Sequence, residues 1–304
     1  MADLHQFNHA LGNIDLRVEP VEGYLPTAII VGLPRTGSTL LQQVMISRYQ
    51  LAYISNLTAK FYKNPAAGTL VHENLVPKDY SSDFLSAYGN TSGVFEPSEF
   101  GWFWQDQLQL DQHDVPGQGI NWACLNTHLS DIKSVAKKPL IIDNPYLCSY
   151  IGEIKTHLKD VKILHLQRDL WNVCNSMLNA RIQRYGKLDE FFGAKPRSFA
   201  NLLKMEDPVE QVVQQVHDLQ QDINDGLAII DPKDILSIDI TDLRAEPEEV
   251  ASRVNAFLGG GGIAKSNSIS PFPDRDQVPS FDPAFSTILQ RYCQDILGVQ
   301  PRWS

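Results

Sequence analysis

The stretch that most constrains this chain is Thr27 to Met45, T-A-I-I-V-G-L-P-R-T-G-S-T-L-L-Q-Q-V-M. Ala28 to Val31 is a short, mostly β-branched run suited to a strand buried on both faces, and the helix-forming run from Leu40 follows it directly. Gly32 to Thr39 is therefore a strand-to-helix loop. Gly32 and Gly37 carry no Cβ and can adopt positive φ. The backbone can curl there and present its N–H groups, together with the dipole of the new helix, to an anion. Phosphate is the obvious candidate. A Gly/Pro turn without a ligand is the plainer alternative, but strand, loop, arginine and helix in this order favour the anion site.

The ATP-binding form of such a loop is G-x-x-x-x-G-K-[ST], and here Ser38 stands where the lysine belongs, which argues against an ordinary kinase or NTPase. The loop instead has Arg35 within the turn and a hydroxyl pair, Ser38 and Thr39, at the helix start. Leu33 to Gly37 also fits the L-P-x-T-G sorting tag of surface-anchored proteins, which acts near a C-terminus and not here.

A chain of 304 residues, 43% of them hydrophobic, can bury a sizeable core. Alternating strand-like and helix-like runs predict one α/β domain over 1–304, with a central, mostly parallel sheet flanked by helices in a P-loop-like nucleotide-binding fold. The net charge of −10 speaks against a general nucleic-acid binder, so an anionic ligand must be held locally. Cys124, Cys148, Cys174 and Cys293 are scattered, with no C-x-x-C, and suggest neither zinc nor a disulfide framework. The start of the chain lacks a basic segment followed by an apolar run, and no apolar stretch is long enough to span a bilayer. A cytoplasmic location is the expectation. Two short glycosylation-type patterns, at Asn56 and Asn90, mean little in that context.

Along the chain, 1–26 reads as an N-terminal arm. Helices are expected over 38–48, 122–135, 146–158, 171–183, 209–228 and 246–258, and strands over 51–54, 139–143, 161–166 and 235–239. Residues 56–120 and 184–208 look like irregular inserts that shape a substrate site or lid. Within the first lies the most aromatic stretch, Val94 to Trp104. Gly259 to Gly262 end the 246–258 helix, and 263–304 form a C-terminal loop and closing helix.

A second anion site is expected at the end of the 161–166 strand. Arg168 stands there and Ser176 lies two helical turns on. Open α/β sheets gather ligands at the carboxyl edge of their strands, so this arginine can share a crevice with the first loop. A local salt bridge for Arg168 and a self-capped helix serine for Ser176 are the plainer alternatives. Together, Pro34-Arg35-Thr36-Gly37-Ser38-Thr39 and the R-[DE]-x(6)-S pattern from Arg168 to Ser176 resemble the phosphosulfate loop and 3′-phosphate motif of the PAPS-dependent sulfotransferases, on the bacterial and Golgi-type branch. The resemblance covers about residues 27–260.

That resemblance implies transfer of a sulfuryl group from 3′-phosphoadenosine 5′-phosphosulfate (PAPS) to an acceptor hydroxyl or amine, in line and without a metal, releasing PAP. Arg35, Thr36, Gly37, Ser38 and Thr39 would hold the 5′-phosphosulfate, Arg35 acting catalytically as well, and Arg168 and Ser176 would hold the 3′-phosphate. An acceptor hydroxyl also needs a general base. Ser55-Asn56 occupies the place of the tyrosylprotein group's glutamate, whereas Glu99-Phe-Gly-Trp-Phe103 resembles the heparan-sulfate group's E-x-x-F-F-like stretch. Glu99 is the first candidate and Glu96 the second. His72 and His113 are further candidates, while His165 alternates within a buried strand and reads as structural. The heparan-type K-[ST]-P at the end of the third strand is replaced by Asp143-Asn144-Pro145, with Lys60 or Lys63 as candidate substitutes. A small-molecule or carrier-held acceptor is expected. The competing readings are a degenerate P-loop kinase, which would be stabilised by ATP more than by PAP, and a catalytically dead nucleotide-binding protein.

Overall fold

A computed structural model describes residues 2–300 apart from 15, 17, 22, 274–280 and 282. The first half contains α1 (Ala2–Leu11), β1 (Thr27–Gly32), α2 (Ser38–Arg48), the two-residue strands β2 (Tyr49–Gln50) and β3 (Ala52–Tyr53), α3 (Pro65–Leu75), α4 (Gly101–Gln107) and α5 (Trp122–Ala136). Next come β4 (Leu140–Asp143), α6 (Ile151–His157), β5 (Val161–Gln167), α7 (Leu170–Tyr185) and α8 (Phe199–Leu202). The chain continues through α9 (Pro208–Ala228), β6 (Ile235–Asp239), α10 (Ile240–Ala245), α11 (Pro247–Phe257), β7 (Ile263–Ala264) and α12 (Pro283–Tyr292).

The protein is a single α/β domain. Its main sheet has the order β3-β4-β1-β5-β6 with every pairing parallel, and β1 lies at the centre. Ile29 and Val31 point into one apolar core with Ile142 and Ile163, and Ala28 and Ile30 into a second with Ile141 and Leu164. Alternate residues of a strand face opposite ways, so a strand roofed by helices on both sides needs an apolar residue at every position. Helices α6, α7 and α9 contribute to the first core, and α2 and α11 to the second. The short pair β2–β7 is antiparallel and separate from the main sheet.

From β1 the chain runs out to β3 at one edge and returns through β4 to β5 and β6 on the other side of β1, so the connections leaving the neighbours β1 and β4 diverge across the sheet. The loops leaving β1, β4 and β5 therefore splay around one crevice, the place where open α/β sheets collect ligands.

Several local expectations need correction. Residues 56–90 are not irregular throughout, because α3 lies inside them. Asn64 caps it by accepting from the Ala67 N–H at 3.2 Å, and Pro65 sits in the first turn, where its missing N–H leaves nothing unsatisfied. The expected 146–158 helix begins instead as a 3-10 segment, Pro145–Tyr150, before α6. The second strand shortens to Ala52–Tyr53. The expected loop over 263–283 falls partly outside the described residues.

Candidate functional site

The first loop is a turn closed on itself. Thr36 donates twice to the Leu33 carbonyl, from its hydroxyl at 2.7 Å and its N–H at 3.3 Å, so the Thr36 side chain faces inward and is buried. Arg35 takes a positive φ of 69° and Gly37 one of 92°. A Cβ on Gly32 would meet the Leu166 carbonyl oxygen at 2.6 Å, and one on Gly37 would meet Ile240 Cδ1 at 2.5 Å, so both positions accept only glycine without rearrangement. Gly37 precedes α2 without a side-chain cap. The first intrahelical bond runs from the Leu41 N–H to Gly37, and the N–H groups of Ser38, Thr39 and Leu40 have no partner within the helix.

The second motif meets the first. Asp169 caps α7 by accepting from the Asn172 N–H at 3.1 Å, which starts the helix immediately after Arg168. Arg35 Nε donates to Ser176 Oγ at 3.1 Å, and Arg168 Nη1 donates to the Arg35 carbonyl at 2.5 Å. The Arg168 guanidinium thus braces the backbone of the one non-glycine residue in the turn that sits in the left-handed region. Burial, and then the like charge of Arg168, lower the pKa of Arg35.

Arg35, Gly37, Ser38, Thr39, Arg168, Ser176 and Glu99 all line one cavity of about 540 Å³. Glu99 stands two residues before α4 and is fixed through its carbonyl, which accepts from Asn144 Nδ2 at 2.5 Å. Asp143, fully buried at the end of β4, faces the same space, and Ser38 hydrogen-bonds its carboxylate. Burial raises the pKa of both acids, and the nearby Asp143 charge raises that of Glu99 further, while Arg184 and Arg35 oppose the shift. Two acids so close lose their protons as a pair, and the Ser38 bond favours Asp143 as the first to ionise.

Glu96 lies outside the cavity lining. Its carboxylate accepts from Tyr80 Oη at 2.6 Å, Ser82 Oγ at 2.8 Å, Gln43 Nε2 at 2.9 Å and the Asp83 N–H at 3.0 Å, which ties the 80–96 segment to α2. Such a saturated, buried carboxylate holds structure together and has no free lone pair aimed at a substrate. His72 bonds Ser55 Oγ at 3.0 Å, and burial depresses its pKa to about 4. His113 packs edge-on against Phe199, and neither histidine lines the cavity. His165 is buried in β5. Lys63 pairs with Asp106 at 2.5 Å and Lys60 is exposed, and neither faces the cavity, so they do not replace the missing lysine. The cations that do line it, besides Arg35 and Arg168, are Arg184 and Arg244.

Sequence reasoning overlooked Tyr88 and Arg184. Ala87 and Asn90 exchange backbone hydrogen bonds at 2.8 and 3.0 Å around Tyr88 (φ 55°) and Gly89 (φ 87°), a tight reversal with positive φ at both central residues. It sets the Tyr88 ring 4.9 Å from the Arg35 guanidinium. Gly89, followed by Asn90, was the available signal for that turn. Arg184 was assigned to the insert, but α7 runs on to Tyr185 and stops at Gly186 in the left-handed conformation. A basic residue just before such a glycine is an ordinary helix ending.

A family model described as Sulfotransferase family matches residues 26–260. Among solved structures, a sulfotransferase from Mycobacterium tuberculosis H37Rv superposes with a TM-score of 0.53 at 13% identity, covering 91% of this chain and 78% of that one. A sulfotransferase from Mycobacterium avium gives a TM-score of 0.49 at 12% identity, covering 84% and 68% respectively. At such low identity the first match speaks to the fold alone. No curated protein matches the sequence.

Proposed function

Because the chain belongs to the sulfotransferase family, we propose that it moves a sulfuryl group from PAPS to an acceptor hydroxyl or amine and releases PAP. The observation that best supports this is the junction of two motifs far apart in sequence, in which Arg35 bonds Ser176 and is itself held by Arg168 at one rim of the sheet. A glycine-built cradle, an uncapped helix start and the cavity-lining guanidinium groups of Arg35 and Arg168 in a chain of net charge −10 suit a small, highly anionic donor.

When bound, the donor supplies an activated sulfur and an anionic leaving group. Arg35, with the N–H groups that open α2 and the Ser38 and Thr39 hydroxyls, offsets charge on the 5′-phosphosulfate, and Arg168 with Ser176 takes the 3′-phosphate. Thr36 contributes by closing the turn. Glu99 accepts the hydroxyl proton as the acceptor oxygen bonds to sulfur, so its carboxylate must be ionised first. Its raised pKa makes it a stronger base once ionised, and Arg35 and Arg184 keep ionisation within reach. The kinase reading gains nothing here, since Ser38, at the lysine position, bonds Asp143. The cysteines are free, Cys174 and Cys293 among them although their thiols lie in hydrogen-bond contact, which suits a reducing, cytoplasmic setting, and no described helix is long and apolar enough to cross a membrane.

The test is transfer from labelled PAPS, coupled to nucleotide binding by an Arg168→Ala variant. PAP affinity should fall by roughly tenfold or more while affinity for adenosine 5′-monophosphate stays within about twofold. Equal losses for the two nucleotides would remove Arg168 from the 3′-phosphate, and the absence of labelled product with every acceptor tried would leave a nucleotide-binding protein without transferase activity.

A further inference from the structure

The cavity has a side that the donor motifs do not use. Arg184 lies about two turns beyond Ser176 on α7, roughly 12 Å further along the helix axis than the contact with Arg35. It lines the same cavity and acts electrostatically on Glu99, which places it on the base's side and away from the pair assigned to the 3′-phosphate. Its guanidinium lies 5.9 Å from the Tyr185 ring and 6.0 Å from the Phe192 ring, at the outer limit of a cation–π contact. Among the described residues no carboxylate or carbonyl group partners it. Tyr88 meets Phe192 edge-on at 6.2 Å, and Tyr146 lies close enough to Glu99 to feel its charge. The space before the base is thus walled by aromatic rings and ends at its open rim in Arg184, an exposed guanidinium that makes no hydrogen bond or ion pair with a carboxylate among the described residues.

We infer that the acceptor is a hydroxy acid. Its flat, apolar body lies against Tyr88, Tyr146 and Phe192, its hydroxyl reaches Glu99, and its carboxylate is held by Arg184. This rests on the sulfuryl-transfer reading and deepens it. Rings offer large apolar area to a flat molecule, and a guanidinium fork matches a carboxylate better than any neutral group. A chain with net charge −10 repels anions at long range, so an anionic acceptor needs a local cation to be retained.

The experiment compares para-hydroxyphenylpropionate with its neutral amide as acceptors, using labelled PAPS, in the wild type and in Arg184→Gln. The acid should be preferred in kcat/KM by about tenfold or more, the size expected of one charge-assisted hydrogen bond. R184Q should abolish that preference by raising KM for the acid while KM for the amide stays within about twofold and PAP affinity is unchanged, any loss of kcat through the higher Glu99 pKa falling on both acceptors alike. Equal kcat/KM for acid and amide in the wild type, or an equal change of KM for both in R184Q, overturns the inference and leaves sulfuryl transfer standing. Sulfation of neither, with PAP raising the melting temperature no more than adenosine 5′-monophosphate does, overturns the sulfuryl-transfer reading and this inference with it.

Discussion

Two glutamates three positions apart have opposite surroundings, and their substitutions should separate accordingly. Glu99→Gln keeps the shape of the cavity wall and removes the proton acceptor, so kcat should fall by about a hundredfold or more with melting temperature little changed at neutral pH. The wild-type rate should climb with pH through a limb above the ordinary carboxylate range, because burial and Asp143 hold the Glu99 proton on, and Gln should erase that limb. An unchanged kcat and pH profile in E99Q would assign the base elsewhere. Glu96→Ala strips the acceptor from four buried or part-buried donors and should cost about 2–4 kcal/mol in urea unfolding, while kcat at a permissive temperature stays near wild type. The acidic pair was visible in the sequence, but its division of labour was not. Nothing in the local pattern tells that Tyr80 and Ser82 turn back onto Glu96.

At the level of single elements, the turns around the site matter more than the strands. Gly89→Ala asks for a side chain at φ 87°, with a Cβ driven into Glu99 Oε1. It should lower kcat by about tenfold or more and cost about 1 kcal/mol, the strain falling on the base itself. Gly37→Ala meets the same positive-φ penalty at the start of α2 and a Cβ contact of 2.5 Å with Ile240. PAP binding by calorimetry should weaken for G37A more than for G89A, since only the former reshapes the anion cradle. A reversed ranking would mean that the Tyr88 turn, not the β1–α2 loop, governs the nucleotide. The β1–α2 unit could be read directly because its signals are local: an apolar run, two glycines, then a helix-forming run. Helix α3 could not, because Pro65 and Gly68 look like breakers until Asn64 is seen to cap the helix and Gly68 to press against Phe61.

On the scale of the whole molecule, the paired acids make stability depend on pH. The folded-state pKa values of Glu99 and Asp143 lie above their unfolded values, so the folded state holds more protons. Their contribution is fully present below the unfolded carboxylate pKa and is lost as pH rises through the folded values. The double variant E99Q/D143N should therefore gain stability relative to wild type as pH increases from about 4 upward, measured as the difference between their melting temperatures. A difference that is flat with pH would show that neither acid is held protonated in the fold.

By itself the sequence determined the buried strand at 27–32, the glycine-built loop after it, the parallel α/β class and the pairing of Arg35 with Arg168 and Ser176 as candidates. Each is written in neighbouring residues or in a short spacing, because strand burial, positive φ and helix starts are local constraints. Only the tertiary structure decided that β1 stands between β4 and β5, which brings Asp143 beside Glu99 and turns Glu96, Lys60, Lys63 and His72 away. Those outcomes depend on which strands pair and how the long inserts fold back over the sheet edge, and packing between distant segments, not any local preference, sets both.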